Sequence, residues 1–282
     1  MSGAAIVTGG GGAIALVLAQ SLAQRGYRLV LVDIDEARLA QSASQIKGAV
    51  STLRADLTQP ADLERVADLI AQTPDLTLLV NNAGIIRPGP VVDLPYAALE
   101  LHIAINLLAP MRLTQAAAQA MSARGAGCIL SIVSAAGLAA LPGSAAYSAS
   151  KFGLRGFLTA VSQEVSGHGV KIRSVFPGAV DTPMLRYEAT HGGSALNFLN
   201  KDVLTPRDVA RACLKAMDGR SLEVHLPFWD GVLARILCIA PDLMATALPH
   251  FQKSGEAGLQ RFLKSRGLVP VDGADARRDV NG

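Results

Sequence analysis

Tyr147 and Lys151 stand four residues apart in AAYSASKFGLRGFLTAVSQEV, a run whose composition reads as helix. That spacing sets a phenol and an ammonium on one face, one turn apart. A phenol titrates near about 10 in water, too high for ready proton exchange at neutral pH. A neighbouring ammonium favours phenolate, which would make Tyr147 a usable general acid or base. Ser134, thirteen residues earlier, follows the apolar run CILSIV and opens a small-residue loop. Its hydroxyl could donate to a substrate oxygen on which charge develops. A lone Tyr-x-x-x-Lys pair also arises by chance, so the elements around it must decide.

Those elements alternate from the start of the chain. AAIVT, YRLVLVD, AVSTLRAD, LTLLVNNAG, CILSIVS, VKIRSVFPG and SLEVHLP read as strands, rich in Val, Ile and Leu and apolar on both faces. Between them lie AIALVLAQSLAQRG, DEARLAQSASQIKG, QPADLERVADLIAQT and the stretch 96–123, with apolar residues at helical spacing. Such alternation predicts an α/β fold: a doubly wound parallel sheet of about seven strands with helices on both faces. Ligands of such sheets sit at the carboxyl ends of the strands. The first strand ends there in Thr8-Gly9-Gly10-Gly11-Gly12-Ala13-Ile14-Ala15 and enters a helix. A glycine-rich turn at a helix N-terminus offers backbone amides to a pyrophosphate. The second strand ends in Asp33, where a carboxylate can accept from a ribose diol.

Composition removes other classes. A net charge of +3 from scattered Lys and Arg, with 4% aromatics, argues against nucleic acid. The three cysteines, Cys128, Cys213 and Cys238, have neither metal-ligand nor C-x-x-C spacing, and their odd number disfavours a disulfide framework. Five dispersed histidines give no metal site, and His102 reads as a helix-surface residue. Mean hydropathy is +0.32, yet the longest uncharged run, 125–150, is broken by Gly, Ser and Pro and does not read as a membrane span. With no secretory leader before the first strand, a reducing cytoplasm is the expected location.

Thr8-Gly9, Asp56, Asn81-Asn82-Ala83-Gly84, Asn106, Ser134, Tyr147, Lys151 and Pro177-Gly178 with Thr182 occur in one order. Over roughly residues 4–226 the chain thereby resembles the short-chain dehydrogenase/reductases. The resemblance implies a Rossmann fold and a catalytic group of Ser134, Tyr147, Lys151 and Asn106. Tyr147 would exchange the proton and Ser134 would position the reacting oxygen. Lys151 would lower the Tyr pKa and hold the nicotinamide ribose, and Asn106 would anchor a relay water. The cofactor residues implied are Thr8, Gly9, Gly12, Ala13, Ile14, Asp33, Asp56, Leu57, Asn82, Ala83, Gly84, Tyr147, Lys151, Pro177, Gly178, Val180 and Thr182. Asp56 and Leu57 would flank the adenine. Ala13 and Ala15 replace two glycines of the family's T-G-x-x-x-G-x-G pattern, so Ala13 adds a methyl where a pyrophosphate approaches.

The expected enzyme moves hydride between NAD, rather than NADP, and a secondary alcohol or ketone; the alternative is a non-catalytic dinucleotide-binding scaffold. Residues 182–204 would form a substrate lid, with Tyr187, Leu196 and Phe198 in it and Met184 and Leu185 meeting substrate beside Ser134 and Tyr147. Its apolar content favours a lipophilic substrate: steroid-like, fatty or aromatic. One domain over 1–226 is followed by a helical extension and tail over 227–282, solvated from Val269. The extension, whose run 232–244 carries only Arg235 and Asp242 as charges and is broken at Pro241, would cover the substrate mouth, join subunits of a homodimer or homotetramer, or touch a membrane surface.

Overall fold

In the computed structural model, residues 3–200, 202–239 and 241–271 are described. The expected tail beyond Val271 lies outside them. Seven parallel strands form one sheet in the order β3-β2-β1-β4-β5-β6-β7. They are β1 (Ala4–Thr8), β2 (Arg28–Asp33), β3 (Val50–Arg54), β4 (Leu76–Asn81), β5 (Gly127–Ile132), β6 (Val170–Pro177) and β7 (Glu223–Leu226). The order reverses between β1 and β4, which opens a crevice at their carboxyl ends.

Helices α1 (Ala13–Gln24), α2 (Glu36–Ser44) and α8 (Pro206–Asp218) cover one face, burying Leu18, Leu22, Leu39, Val209 and Cys213. The opposite face carries α3 (Pro60–Gln72), α5 (Ala109–Arg124) and α6 (Ala145–Glu164), through Val66, Ile70, Leu113, Leu154 and Leu158. The short α4 (Tyr96–Ile103) runs through a π-helical turn, Ala104–Leu108, into α5. The strand β3 departs from expectation: it is largely exposed, because it sits at the sheet edge, where no strand among the described residues pairs with its outer side.

The lid segment folds as α7 (Pro183–Thr190) and a 3-10 turn, Ala195–Phe198. The extension forms α9 (Phe228–Ile239) and α10 (Pro241–Arg266). Phe262 and Leu263 of α10 bury against Leu185, Ala189 and Phe198, the Phe198 and Phe262 rings lying 5.0 Å apart. Arg266 pairs with Asp181 beside the lid, and Val271 N–H donates to Thr190 O at 2.8 Å. Thus α10 braces the lid from behind. By contrast α9 leaves Trp229, Ile236 and Ile239 exposed while Arg235 pairs with Glu223 of β7. Among the described residues no helix is long and apolar enough to cross a membrane.

Candidate active site

The glycine turn is shaped by its neighbours. Gly9 has φ of 65°, and a Cβ there would come within 2.7 Å of Asn82 Nδ2, so only glycine fits. Asn82 Nδ2 donates to the Thr8 and Gly9 carbonyls at 3.0 Å, and Thr8 Oγ1 accepts from the Asn82 and Ala83 amides at 3.1 Å. Gly12 then caps α1 with no side chain on the first-turn amides, which remain available to an anion. Asp33 closes this end: Oδ2 accepts from Gly11 N–H at 2.9 Å and Oδ1 from Asp35 N–H at 3.1 Å.

The catalytic candidates converge from three elements. Ser134 follows β5 with φ of 149° and ψ of 155°, a backbone region otherwise nearly restricted to glycine. Strain of that kind costs about 1–3 kcal/mol and clusters at functional sites. Tyr147 and Lys151 project from α6, with Lys151 Nζ 5.5 Å from the Tyr147 ring centroid. Asn106 lies in the π-helical turn, fully buried. Its Oδ1 accepts from Ile85 N–H at 2.9 Å and its Nδ2 donates to Ile85 O at 3.0 Å. A Cβ on Gly84 would lie 3.1 Å from Asn106 Oδ1 and 3.6 Å from Lys151 Nζ. Asn106 therefore fixes the loop that runs beside Lys151, and the π-turn sets its aim.

Electrostatics differ from the sequence expectation. Burial pushes Tyr147 up to about 12, against a hydrogen bond with Ser134 and reinforced by the nearby Glu188 charge. Burial also draws Lys151 down to about 8. Desolvation disfavours phenolate and ammonium alike, and here it outweighs the help that Lys151 was expected to give Tyr147. His102 corrects a second expectation, being only 1% exposed. Its Nδ1 meets Ala98 O at 2.6 Å and its Nε2 meets Arg87 N–H at 3.0 Å. The second bond requires Nε2 to accept, so the ring is neutral with its proton on Nδ1, and burial lowers its pKa. It pins the loop after β4, 6.3 Å ring to ring from Tyr147.

One cavity of about 660 Å³ joins these groups. Gly9, Gly12, Ala13, Ile14, Asp33, Asn82, Ala83 and Gly84 line it together with Ser134, Tyr147, Lys151, Pro177, Gly178, Val180 and Thr182. Met184 and Leu185 complete the lid side. Thr8 and Asn106 stand behind the lining as braces. Asp56 and Leu57 are outside it: the Asp56 carboxylate is taken by the Thr58 amide and hydroxyl, and Leu57 is buried. Leu196 and Phe198 are buried, Phe198 beneath α10, and neither they nor Tyr187 line the cavity. Six polar lining residues were not foreseen: Arg38, paired with Asp35 at 3.2 Å, its neighbours Gln41, Ser42 and Gln45, and the lid residues Glu188 and Asn197. Backbone amides at a close glycine turn, a carboxylate at the end of β2 and a deep cleft suit a nicotinamide dinucleotide.

Residues 3–192 match the sequence pattern of the short chain dehydrogenases. The chain is 34% identical to 2-(S)-hydroxypropyl-CoM dehydrogenase 3 of Xanthobacter autotrophicus, over 76% of this chain and 82% of that one. It is 34% identical to D-beta-hydroxybutyrate dehydrogenase of Rhizobium meliloti, over 66% and 74%. Among solved structures, the bulky-bulky ketone specific alcohol dehydrogenase of Comamonas testosteroni superposes with TM-score 0.72 and 25% identity, covering 86% and 93%. A short-chain dehydrogenase of Sphingobium yanoikuyae in complex with NADPH gives TM-score 0.73 and 28% identity, covering 85% and 95%. The ordered motifs, the seven-stranded sheet and these similarities together make the chain a member of the short-chain dehydrogenase/reductase family.

Proposed function

We propose that the protein is an NAD-dependent dehydrogenase of secondary alcohols, or a reductase of the matching ketones. The observation that carries this reading is the single cavity shared by Asp33, the glycine turn, Ser134, Tyr147 and Lys151. The dinucleotide supplies the hydride carrier. Ser134 Oγ and Tyr147 Oη hold the reacting oxygen, and Tyr147 takes its proton during oxidation or returns one during reduction. Lys151 holds the nicotinamide ribose, and Asn106 keeps the Ile85 backbone in place beside it. Met184 and Leu185 favour a largely lipophilic substrate. A cytoplasmic homodimer or homotetramer is the assembly we favour. The exposed apolar face of α9 suits a subunit contact, and co-sedimentation with anionic vesicles tests the alternative of a membrane surface. The test of function is a panel of secondary alcohols with NAD, read by NADH absorbance; no oxidation across the panel overturns the proposal.

Cofactor choice gives one prediction. Asp33 should repel a 2′-phosphate and accept from a 2′-hydroxyl. Arg38 lines the same cavity but is engaged by Asp35. Wild type should therefore show higher kcat/KM with NAD, and Asp33→Ala should narrow the NAD:NADP ratio about tenfold or more. A wild-type preference for NADP would show that Arg38 or another cation reaches the phosphate.

The raised Tyr147 pKa gives another. Below about 12 the phenol is almost wholly protonated, so reduction finds its proton donor ready across neutral pH. Oxidation needs phenolate, whose fraction grows roughly tenfold per pH unit below that value. Alcohol oxidation should climb steeply from pH 6 to 10 and ketone reduction should not. A flat oxidation profile would remove Tyr147 as the limiting base.

A further inference from the structure

The cavity holds a carboxyl that hydride transfer does not use. Glu188, on α7, is 6% exposed and lines the same cavity as Ser134 and Tyr147. Asn197, from the 3-10 turn of the lid, lines it too and donates Nδ2–H to Glu188 Oε1 at 2.7 Å. The groups that reach this carboxyl are neutral: Asn197, the Ser194 backbone and the Ser144 hydroxyl, with no cation among them. Ser144 is 1% exposed, and its Oγ faces the carboxyl without a well-aligned hydrogen bond to any partner. Hydrocarbon recognition has no use for such a recess. Burying a carboxyl that meets only neutral donors and no cation costs free energy, and burial pushes Glu188 up to about 7.

We infer that the substrate carries, away from its reacting carbon, a hydrogen-bond-donating group, an ammonium or hydroxyl, and that Glu188, held by Asn197, receives it. The inference rests on the dehydrogenase reading above and narrows its substrate to secondary alcohols or ketones with a second, polar end. Met184 and Leu185 then cover the apolar stretch between the two ends. Few but well-placed polar groups in an apolar cavity fix orientation and specificity in this way. A site built to pair with a donor discriminates strongly against analogues that lack one.

The test compares a hydrocarbon secondary alcohol with its ω-hydroxy and ω-amino analogues of equal length, over a series of chain lengths. Wild type should favour at least one donor-bearing analogue about tenfold or more in kcat/KM. Glu188→Leu should erase or invert that ratio, and Glu188→Gln should lower it most for the amine. Because the ratio is taken within each variant, losses of folded enzyme cancel, and a structural role for Glu188 would leave it unchanged. Ratios within threefold of one in wild type, or the same ratio in Glu188→Leu, overturn the inference. Affinities of the same compounds for the NADH-bound enzyme, read by NADH fluorescence, decide the matter if none is oxidised. Absence of turnover would then count against the dehydrogenase reading alone.

Discussion

Tyr147→Phe is expected to cut alcohol oxidation by about 10²–10⁴-fold, the usual worth of a positioned acid–base group. The change deletes one hydroxyl from the end of α6 that faces the cleft. The glycine turn, Asp33 and Lys151 lie on other residues and keep their contacts. NADH affinity, read by fluorescence titration, should therefore stay within about tenfold, since the lost hydroxyl removes at most one neutral hydrogen bond. The variant should also fold, because an apolar ring of the same shape replaces the phenol and only the hydrogen bond with Ser134 is lost. Residual activity within threefold of wild type would sink the assignment of Tyr147 as the proton-transfer group. A parallel loss of NADH binding would mean that the hydroxyl shapes the cleft rather than the chemistry.

Gly258→Ala should produce the second large effect, at a position far from the reacting atoms. Gly255 and Gly258 lie on one face of α10 and let it touch the backbone of the 3-10 turn. A Cβ on Gly258 would fall 1.8 Å from Phe198 O, and one on Gly255 would fall 2.4 Å from Ala195 O. Both obstacles are main chain, so relief requires α10 to withdraw from the lid. Overpacking of this sort costs roughly 1–3 kcal/mol. Withdrawal would loosen Leu185 and Ala189, which share a buried cluster with Phe262 and Leu263. The KM for substrate should rise severalfold while the NADH dissociation constant changes less, because the glycine turn, Asp33 and Lys151 lie outside that cluster. Cleavage of the lid by a protease should also speed up. Unchanged KM and unchanged Tm would show that the helix does not brace the lid.

Most of the framework was legible because its signals are local. Seven apolar runs separated by helical periodicity specify a parallel sheet with little ambiguity, and all seven strands form. The glycine turn and the residues at the strand ends were legible for the same reason: tight turns and backbone approach restrict residue type. What escaped depends on contacts distant in sequence. His102 looked like a surface residue because α4 shows no clear apolar stripe; the loop after β4 folds over it and supplies the Arg87 amide. The π-helical turn around Asn106 has no pattern of its own in the sequence. Glu188 went unremarked in a lid read for its apolar content, because its burial and its bond to Asn197 depend on how the lid folds. The Tyr147–Lys151 spacing was right, but spacing alone says nothing of solvent, and solvent exclusion sets both pKa values.

The placement of α10 also orders events in time. The sheet positions that form the cofactor cleft are complete by β6, whereas the helix that braces the lid begins at Pro241. Chains emerge from the ribosome N-terminus first and fold as they go. A nascent chain can thus assemble its dinucleotide cleft while the lid over Tyr147 still lacks its support. On the function proposed above, substrate selection would be the last property this protein acquires during synthesis.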